Sequence, residues 1–174
     1  MKRTLRWLVM VALIAGAGRL SAQRIMVGGG LLMPMGDYKT VDKMGFIGQA
    51  GVGFPAGPIG IRIEADYGQT SHKNGADGNS KIIGGMGAAV YHFKTPAGVT
   101  PYVLGGVGMY NVKVTVPSIS FDQSETKFAF GVGAGLEMKM TSMSLYLEAK
   151  YMNIATSGGA TTFIPITVGL RFGM

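Results

Sequence analysis

The fold is decided by the stretch TVGLRFGM, residues 167–174. One face of this stretch, taken as an extended chain, is apolar and holds Val168, Leu170, Phe172 and Met174. The other face holds Thr167, Gly169, Arg171 and Gly173. Successive side chains of a strand point to opposite faces, so this pattern predicts an amphipathic β-strand. Such a strand needs a partner on both edges, and a closed barrel supplies one for every strand.

The N-terminus has the charge and hydropathy pattern of a secretory signal peptide. Lys2, Arg3 and Arg6 are followed by an uncharged segment, residues 7–18, and by small residues before Gln23. A helix over the uncharged segment would be about 18 Å long, too short for a hydrocarbon core of about 30 Å. We therefore predict a signal peptide over residues 1–22 and one domain over residues 23–174.

Composition narrows the class of this domain. Charged residues make up 14% of the chain, where about 25% is usual, and glycine contributes 29 of 174 residues. No cysteine is present for a disulfide framework, and no basic cluster predicts a nucleic-acid partner. After residue 22 no apolar segment approaches the 18 residues of a transmembrane helix. An exported, glycine-rich and weakly charged chain of this kind is typical of a membrane β-barrel.

Alternating hydrophobicity predicts eight strands, hence an all-β, eight-stranded antiparallel up-and-down transmembrane barrel. The predicted spans are 24–35, 45–54, 59–69, 81–93, 100–113, 127–139, 143–154 and 164–173. The connections after odd-numbered strands are predicted to be long: 36–44, 70–80, 114–126 and 155–163. Outer-membrane barrels have long extracellular loops and short periplasmic turns. The pattern therefore predicts that both termini lie in the periplasm.

The two faces of the predicted strands differ in a way that favours lipid on the outside. One face is continuously apolar, as at Ile61 and Leu147. The other is mostly glycine and alanine with seven ionisable residues: Arg62, Glu64, Asp66, Glu137, Glu148, Lys150 and Arg171. That set is too sparse for a water-covered exterior, but it suits the lumen of an eight-stranded barrel, which side chains just fill. Four acids and three bases can pair, which offsets the cost of burying them.

Aromatic residues fall near predicted strand ends, which indicates two membrane-interface rims. The periplasmic rim is predicted to hold Phe54, Tyr91, Phe93, Tyr102, Tyr146 and Phe172. The outer rim is predicted to hold Phe46, Tyr67, Tyr110, Phe128, Tyr151 and Phe163. The glycine-rich runs at 84–87 and 105–108 leave the facing of the fourth and fifth strands open.

Three segments carry a resemblance to a known family: residues 27–37, residues 101–108 and the C-terminal strand. The chain over residues 24–174 resembles the small outer-membrane barrels of the OmpA and OmpX type. We expect a monomer in outer-membrane lipid, and the resemblance implies that the barrel-insertion machinery inserts it. The assembly signal read by that machinery would comprise Thr167, Gly169, Phe172 and Met174, with Met174 standing where an aromatic residue is usual.

The sequence offers little for catalysis. Some barrels of this class modify lipid A with a histidine, and His72 lies near Ser71, Asp77 and Ser80 in one predicted loop. Nucleophilic catalysis needs an oriented base, which adjacency in a loop does not provide. We therefore expect no enzyme, no cofactor and no metal, and predict a structural or interaction role in the cell outer membrane, with the loops available to an extracellular partner. The alternatives are a narrow porin-like channel, a lipid A-modifying enzyme and a soluble ligand-binding barrel.

Overall fold

The computed structural model describes residues 23–36, 43–71, 79–96, 98–116, 121–156 and 159–173. Its eight strands are β1 (Arg24–Met35), β2 (Gly45–Ala56), β3 (Ile59–Ser71), β4 (Asn79–His92), β5 (Val99–Val116), β6 (Phe121–Lys139), β7 (Met143–Thr156) and β8 (Gly159–Gly173). Each strand pairs antiparallel with its sequence neighbours, and β8 pairs with β1 to close the barrel. The predicted fold class is confirmed. In the described ranges no helix is long and apolar enough to cross a membrane.

The barrel has two distinguishable ends. The terminal end is where Arg24 and Gly173 pair. The opposite end, here called the hairpin end, is where the β5–β6 and β7–β8 hairpins turn back. At the terminal end β2 and β3 join through a two-residue turn, in which Gly57 has a φ of 69°. Glycine adopts this left-handed conformation without a steric penalty, so the strands can reverse within two residues. The prediction of short turns at this end is confirmed.

Two hairpins extend farther than predicted. β5 and β6 are joined through residues 117–120, and β7 and β8 through residues 157–158, so the long loops at 114–126 and 155–163 are wrong. Polar side chains continue the β5–β6 ladder. Asn111 Nδ2 donates to Thr126 Oγ1 at 3.0 Å, and Ser124 Oγ donates to Asn111 Oδ1 at 3.0 Å. The polar composition of these strand ends predicts loops, but cross-strand polar pairs also stabilise paired strands.

An apolar belt covers the outward face, as the alternation predicts. β3 alternates strictly, with Ile59, Ile61 and Ile63 exposed and Arg62 and Glu64 buried. Ile61 is 58% exposed and Leu147 is 50% exposed. A belt of this kind is compatible with lipid tails and is far larger than a soluble monomer normally exposes.

Of the twelve aromatic residues predicted to lie at the rims, eight face outward and four do not. Phe54, Tyr91, Phe93 and Phe172 face outward at the terminal end, and Phe46, Tyr67, Phe128 and Tyr151 face outward elsewhere on the belt. The four exceptions are buried in the lumen: Tyr102, Tyr110, Tyr146 and Phe163. The tyrosines turn inward because their hydroxyls have polar partners there, and Phe163 packs in an apolar cluster.

Candidate functional site: the filled lumen

All seven ionisable residues singled out in the sequence lie inside the barrel, none more than 6% exposed. β3 contributes Arg62, Glu64 and Asp66, and β7 contributes Glu148 and Lys150. The period of two along each strand directs these alternate residues to the same side. In the closed order of eight strands β3 and β7 are half a turn apart, so contacts between them cross the full width of the lumen.

Two ion pairs make this crossing. Arg62 Nη1 and Nη2 donate to the two oxygens of Glu148 at 2.6 and 3.0 Å, a bidentate pair. Lys150 Nζ donates to Glu64 Oε1 at 2.5 Å. Arg62 Nη2 also lies 2.9 Å from Glu64 Oε2, and Lys150 Nζ lies 3.8 Å from Asp66 Oδ1. Charges therefore alternate in sign through the cluster, which is how buried ions offset their desolvation.

Neutral side chains complete the central cluster. Tyr102 Oη donates to Glu148 Oε2 at 2.8 Å, and Tyr110 Oη donates to Asp66 Oδ2 at 2.5 Å. Gln49 Nε2 donates to Tyr146 Oη at 2.8 Å. Sequence reasoning missed all four of these residues. One signal was available, since Tyr146 has the same strand parity as Glu148.

The cluster continues to the terminal end through Arg171. This guanidinium donates to Glu137 and lies over the rings of Tyr102 and Tyr146, at 4.6 and 4.8 Å from their centroids. Arg171 Nη2 is 3.8 Å from Glu148 Oε2, which connects the rim to the central ion pairs. Stacking on two rings and pairing with two carboxylates hold the guanidinium in one place.

An apolar layer fills the hairpin half of the lumen. Its buried members come from every strand except β3, and they include Leu32, Ile47, Ile82, Val112, Ala129, Ile154 and Phe163. Met152 is also buried inside, and so is Met86, which lies in a glycine-rich run whose facing the sequence does not decide. The expectation of a lumen lined mostly by glycine, alanine and ions is therefore wrong for this half. Among the described residues, the fully buried side chains of this half are apolar or uncharged, with Thr70, Ser80 and Thr161 as the polar ones.

Lumen glycines make room for the large side chains opposite them. A Cβ added at Gly135 would come within 3 Å of the Tyr102 ring, and one added at Gly133 would lie 2.9 Å from Lys150 Cγ. Glycine on the inner wall therefore does not leave the lumen empty. It accommodates a tyrosine and a lysine in a barrel that is barely wide enough for them.

The other predicted site residues are dispersed. In β8, Thr167 and Gly169 face the lumen and Phe172 faces outward at 41% exposure, whereas Met174 lies outside the described residues. His72 and Asp77 also lie outside them, while Ser71 is exposed and Ser80 is buried. Within the part of the chain that the structure describes, no group of three or more acidic, histidine or cysteine side chains is arranged to hold a metal.

Similar proteins agree with this architecture. Neisserial surface protein A has 17% identity and a TM-score of 0.72, over 87% of this chain and 97% of that one. Ail of Yersinia pestis has 17% identity and a TM-score of 0.54, over 87% of this chain and 99% of Ail. The outer membrane enzyme PagL has 15% identity and a TM-score of 0.52, over 88% of this chain and 100% of PagL. A search of curated protein sequences finds no match.

These structural similarities are at low identity and concern the fold alone. A family model described as "Outer membrane protein beta-barrel domain" matches residues 8–172, which is nearly the whole chain. The closed antiparallel barrel, its apolar belt and its buried ion cluster agree with that match. The chain therefore belongs to the outer membrane protein beta-barrel domain family.

Proposed function

We propose that this outer membrane barrel is a closed structural element with a role in envelope integrity or surface contact, not a channel and not an enzyme. One observation carries the proposal, namely that side chains fill the lumen across its full width. Arg62–Glu148 and Lys150–Glu64 join opposite walls, and an apolar layer containing Ile154 seals the hairpin half. A plugged barrel adds a stable protein to the membrane. Its hairpin end offers a surface for contact with a partner.

Electrical recording tests the closed lumen directly. Purified protein is reconstituted into planar bilayers, and insertion is verified by the gel shift that folded membrane barrels show on boiling. We expect no reproducible conductance steps, because the ion pairs and the apolar layer occupy a bore that is only just wide enough for side chains. A known large-bore porin, inserted under the same conditions, shows that the assay detects channels. Uniform single-channel steps from the wild-type protein would replace the proposal with the narrow-channel alternative.

A genetic comparison tests the surface role. A strain lacking the protein is complemented with the wild-type chain or with a variant in which residues 114–123 are replaced by a two-residue turn. The extended β5–β6 hairpin is the part removed, and the barrel below it stays paired. We expect deletion to increase detergent sensitivity or to abolish adhesion to a surface. The shortened variant should restore detergent resistance but not adhesion. No change in either property on deletion would contradict the proposal.

Mass spectrometry of envelope lipids tests the proposal that the barrel is not catalytic. PagL shares the fold, but at 15% identity that likeness concerns the fold alone. We expect the mass spectra of envelope lipids to be the same with the wild-type chain, with His72→Ala and without the protein. A lipid A species that depends on the wild-type chain and disappears with His72→Ala would establish the enzyme alternative.

We also propose that the chain is exported by its signal peptide and assembled from its C-terminal strand. Residues 1–22 would be removed on secretion, and the C-terminal strand would be read by the barrel-insertion machinery, giving a monomer with periplasmic termini. Phe172 supports the latter role, since its ring faces outward on the strand that closes the barrel. The intact mass of the extracted protein tests the cleavage. We expect Phe172→Ser to lower the amount of heat-shiftable barrel in the membrane, with Thr141→Ser, in an exposed turn, as the control.

A further inference from the structure

The terminal end opens into two adjoining depressions with a strongly basic lining. The larger has a volume of about 390 Å³ and is lined by Arg24, His92, Lys94, Lys139 and Glu137, among others. The smaller, about 260 Å³, shares Arg24 and Lys139 and reaches Arg171. Four permanent cations therefore face one carboxylate, Glu137, among the described residues that line them. A few hundred Å³ is the size of pockets that hold small molecules.

The single carboxylate is already engaged. Glu137 accepts a hydrogen bond from Arg171, and its Oε1 lies 3.8 Å from Arg24 while its Oε2 lies 3.6 Å from His92 Nε2. It cannot neutralise Lys94 and Lys139 as well. The mouth of the barrel consequently carries an excess of positive charge close to low-dielectric walls, where its field is focused.

One buried donor at this mouth has no acceptor. Arg171 is only 6% exposed, and its Nη2 makes no hydrogen bond within the part of the chain that the structure describes. A buried donor left unsatisfied is costly, and the cost is greater for a charged group. Arg171 Nη2 has Glu148 Oε2 as a charged neighbour at 3.8 Å, too far for a hydrogen bond. The same residue lines the smaller depression, so its guanidinium adds positive charge to an anion site there.

The walls of the mouth are fixed by hydrogen bonds at the turns. His92 N–H donates to Pro58 C=O at 3.0 Å, and Phe93 N–H donates to Pro101 C=O at 2.9 Å. Met140 N–H donates to Met143 C=O at 2.8 Å. These bonds tie the turns on both sides of the depressions to neighbouring strands. A rigid mouth binds a ligand without first having to be ordered, which favours affinity.

We propose that the terminal mouth is a binding site for a phosphate-bearing anion with at least two negative charges. Arg24 offers a planar guanidinium that suits bidentate contact with phosphate, and Arg171 adds a fixed positive charge beside it. Lys94 and Lys139 add point charges around them. A lipid headgroup and a soluble phosphate compound share this chemistry. The site requires only the filled barrel and its basic mouth, and it is independent of the surface role proposed above.

Calorimetry with inorganic pyrophosphate tests the site on the folded protein in zwitterionic detergent. We expect saturable binding that weakens as salt is added. Arg24→Gln removes one charged donor and should weaken binding about tenfold or more. Lys43→Gln is the matched control, because it removes the same charge from an exposed position at the hairpin end, and it should leave binding unchanged. The boiling shift on gels verifies that each variant is folded.

Three results would overturn the site: no saturable binding, binding unaffected by Arg24→Gln, or an equal loss with Lys43→Gln. Should Arg24→Gln fail to fold, Lys94→Gln replaces it, since Lys94 is exposed and lies outside the strands. Nanodiscs then separate the two sources of phosphate. Weaker pyrophosphate binding in discs containing phosphatidylglycerol than in phosphatidylcholine discs would identify a lipid headgroup as the occupant. Equal binding in both would identify a soluble phosphate compound.

Discussion

The two halves of the lumen are filled by opposite chemistry within one barrel wall. From the terminal end to the centre, ion pairs such as Arg62–Glu148 join strands that are half a turn apart. Toward the hairpin end, Ile154 and its neighbours fill the same bore mainly with apolar contacts, and the buried polar side chains there, such as Thr70 and Thr161, are uncharged. The ionic and the apolar side chains both lie at the alternate positions of their strands that face inward. The difference shows that the inward face of a small barrel need not be polar, and that its character can change along one strand.

The halves should also respond differently to damage. An ion cluster is complete only when every charge has its partner, so the loss of one member leaves others buried and unpaired. An apolar layer loses contacts in proportion to the cavity created, and its neighbours can relax into the space. Substitutions matched in size should therefore be costlier among the ions than among the apolar side chains.

The largest effect is expected for Glu148→Ala. This change leaves the Arg62 guanidinium without its bidentate partner and the Tyr102 hydroxyl without its acceptor. Breaking a buried pair by removing one partner costs about 3–5 kcal/mol. Urea unfolding in detergent, followed by circular dichroism, gives the free energy of unfolding. Glu125→Gln, at a partly exposed carboxylate, is the control, and an equal loss there would contradict a special role for the cluster.

A smaller loss is expected for Ile154→Ala in the apolar layer. Ile154 is fully buried, and truncating it should cost an amount near the lower end of the about 2–5 kcal/mol typical of such changes, because its neighbours can relax into the cavity. The variant should still show no conductance, because the ion pairs below it continue to close the bore. Ile83→Ala removes the same side chain from an outward position and should cost less. Reproducible current through Ile154→Ala would indicate that the apolar layer alone seals the lumen.

The sequence predicted the strands and their faces well because both follow from local alternation. β1 begins and ends at its predicted residues, and the exposed residues of β3 and β7 are the predicted ones. The inward direction of all seven ions followed from the same period. Their pairing did not follow, because it depends on which strands lie across the barrel and at what height.

The tyrosines show where sequence reasoning reaches its limit. Tyr102 and Tyr146 lie near strand ends, where aromatic rings commonly mark the membrane interface, and this position predicts that they lie at a rim. Strand parity places them inside, and there their hydroxyls meet Glu148 and Gln49. In β4 and β5 glycine runs occupy both faces, so parity could not be read from hydropathy. The apolar layer was missed because both faces are apolar toward the hairpin end.

Gly135→Ala sharpens the comparison by adding a group to the ionic half. The new Cβ would come within 3 Å of the Tyr102 ring and of Leu147 C=O, so the ring must move away from Glu148. Overpacking of this kind costs about 1–3 kcal/mol. Gly48→Ala is the matched control, since a Cβ there meets nothing within 4 Å. Equal stability of the two variants by urea unfolding would show that the lumen has spare room.

The smallest effect is expected at the open edge of the ionic half. Arg24 has a side chain that is 37% exposed, and its Nη1 lies 3.8 Å from Glu137 Oε1, beyond hydrogen-bond distance. Ion pairs of this kind contribute about 0–1 kcal/mol, so Arg24→Gln should unfold in urea almost as the wild type does. Glu137 keeps its bond to Arg171 in this variant, so the cluster stays paired. A loss comparable to that of Glu148→Ala would mean that the ionic half depends on its rim as much as on its centre. A small loss would show that the stabilising contacts are those that cross the lumen, and that Arg24 is free to hold an anion.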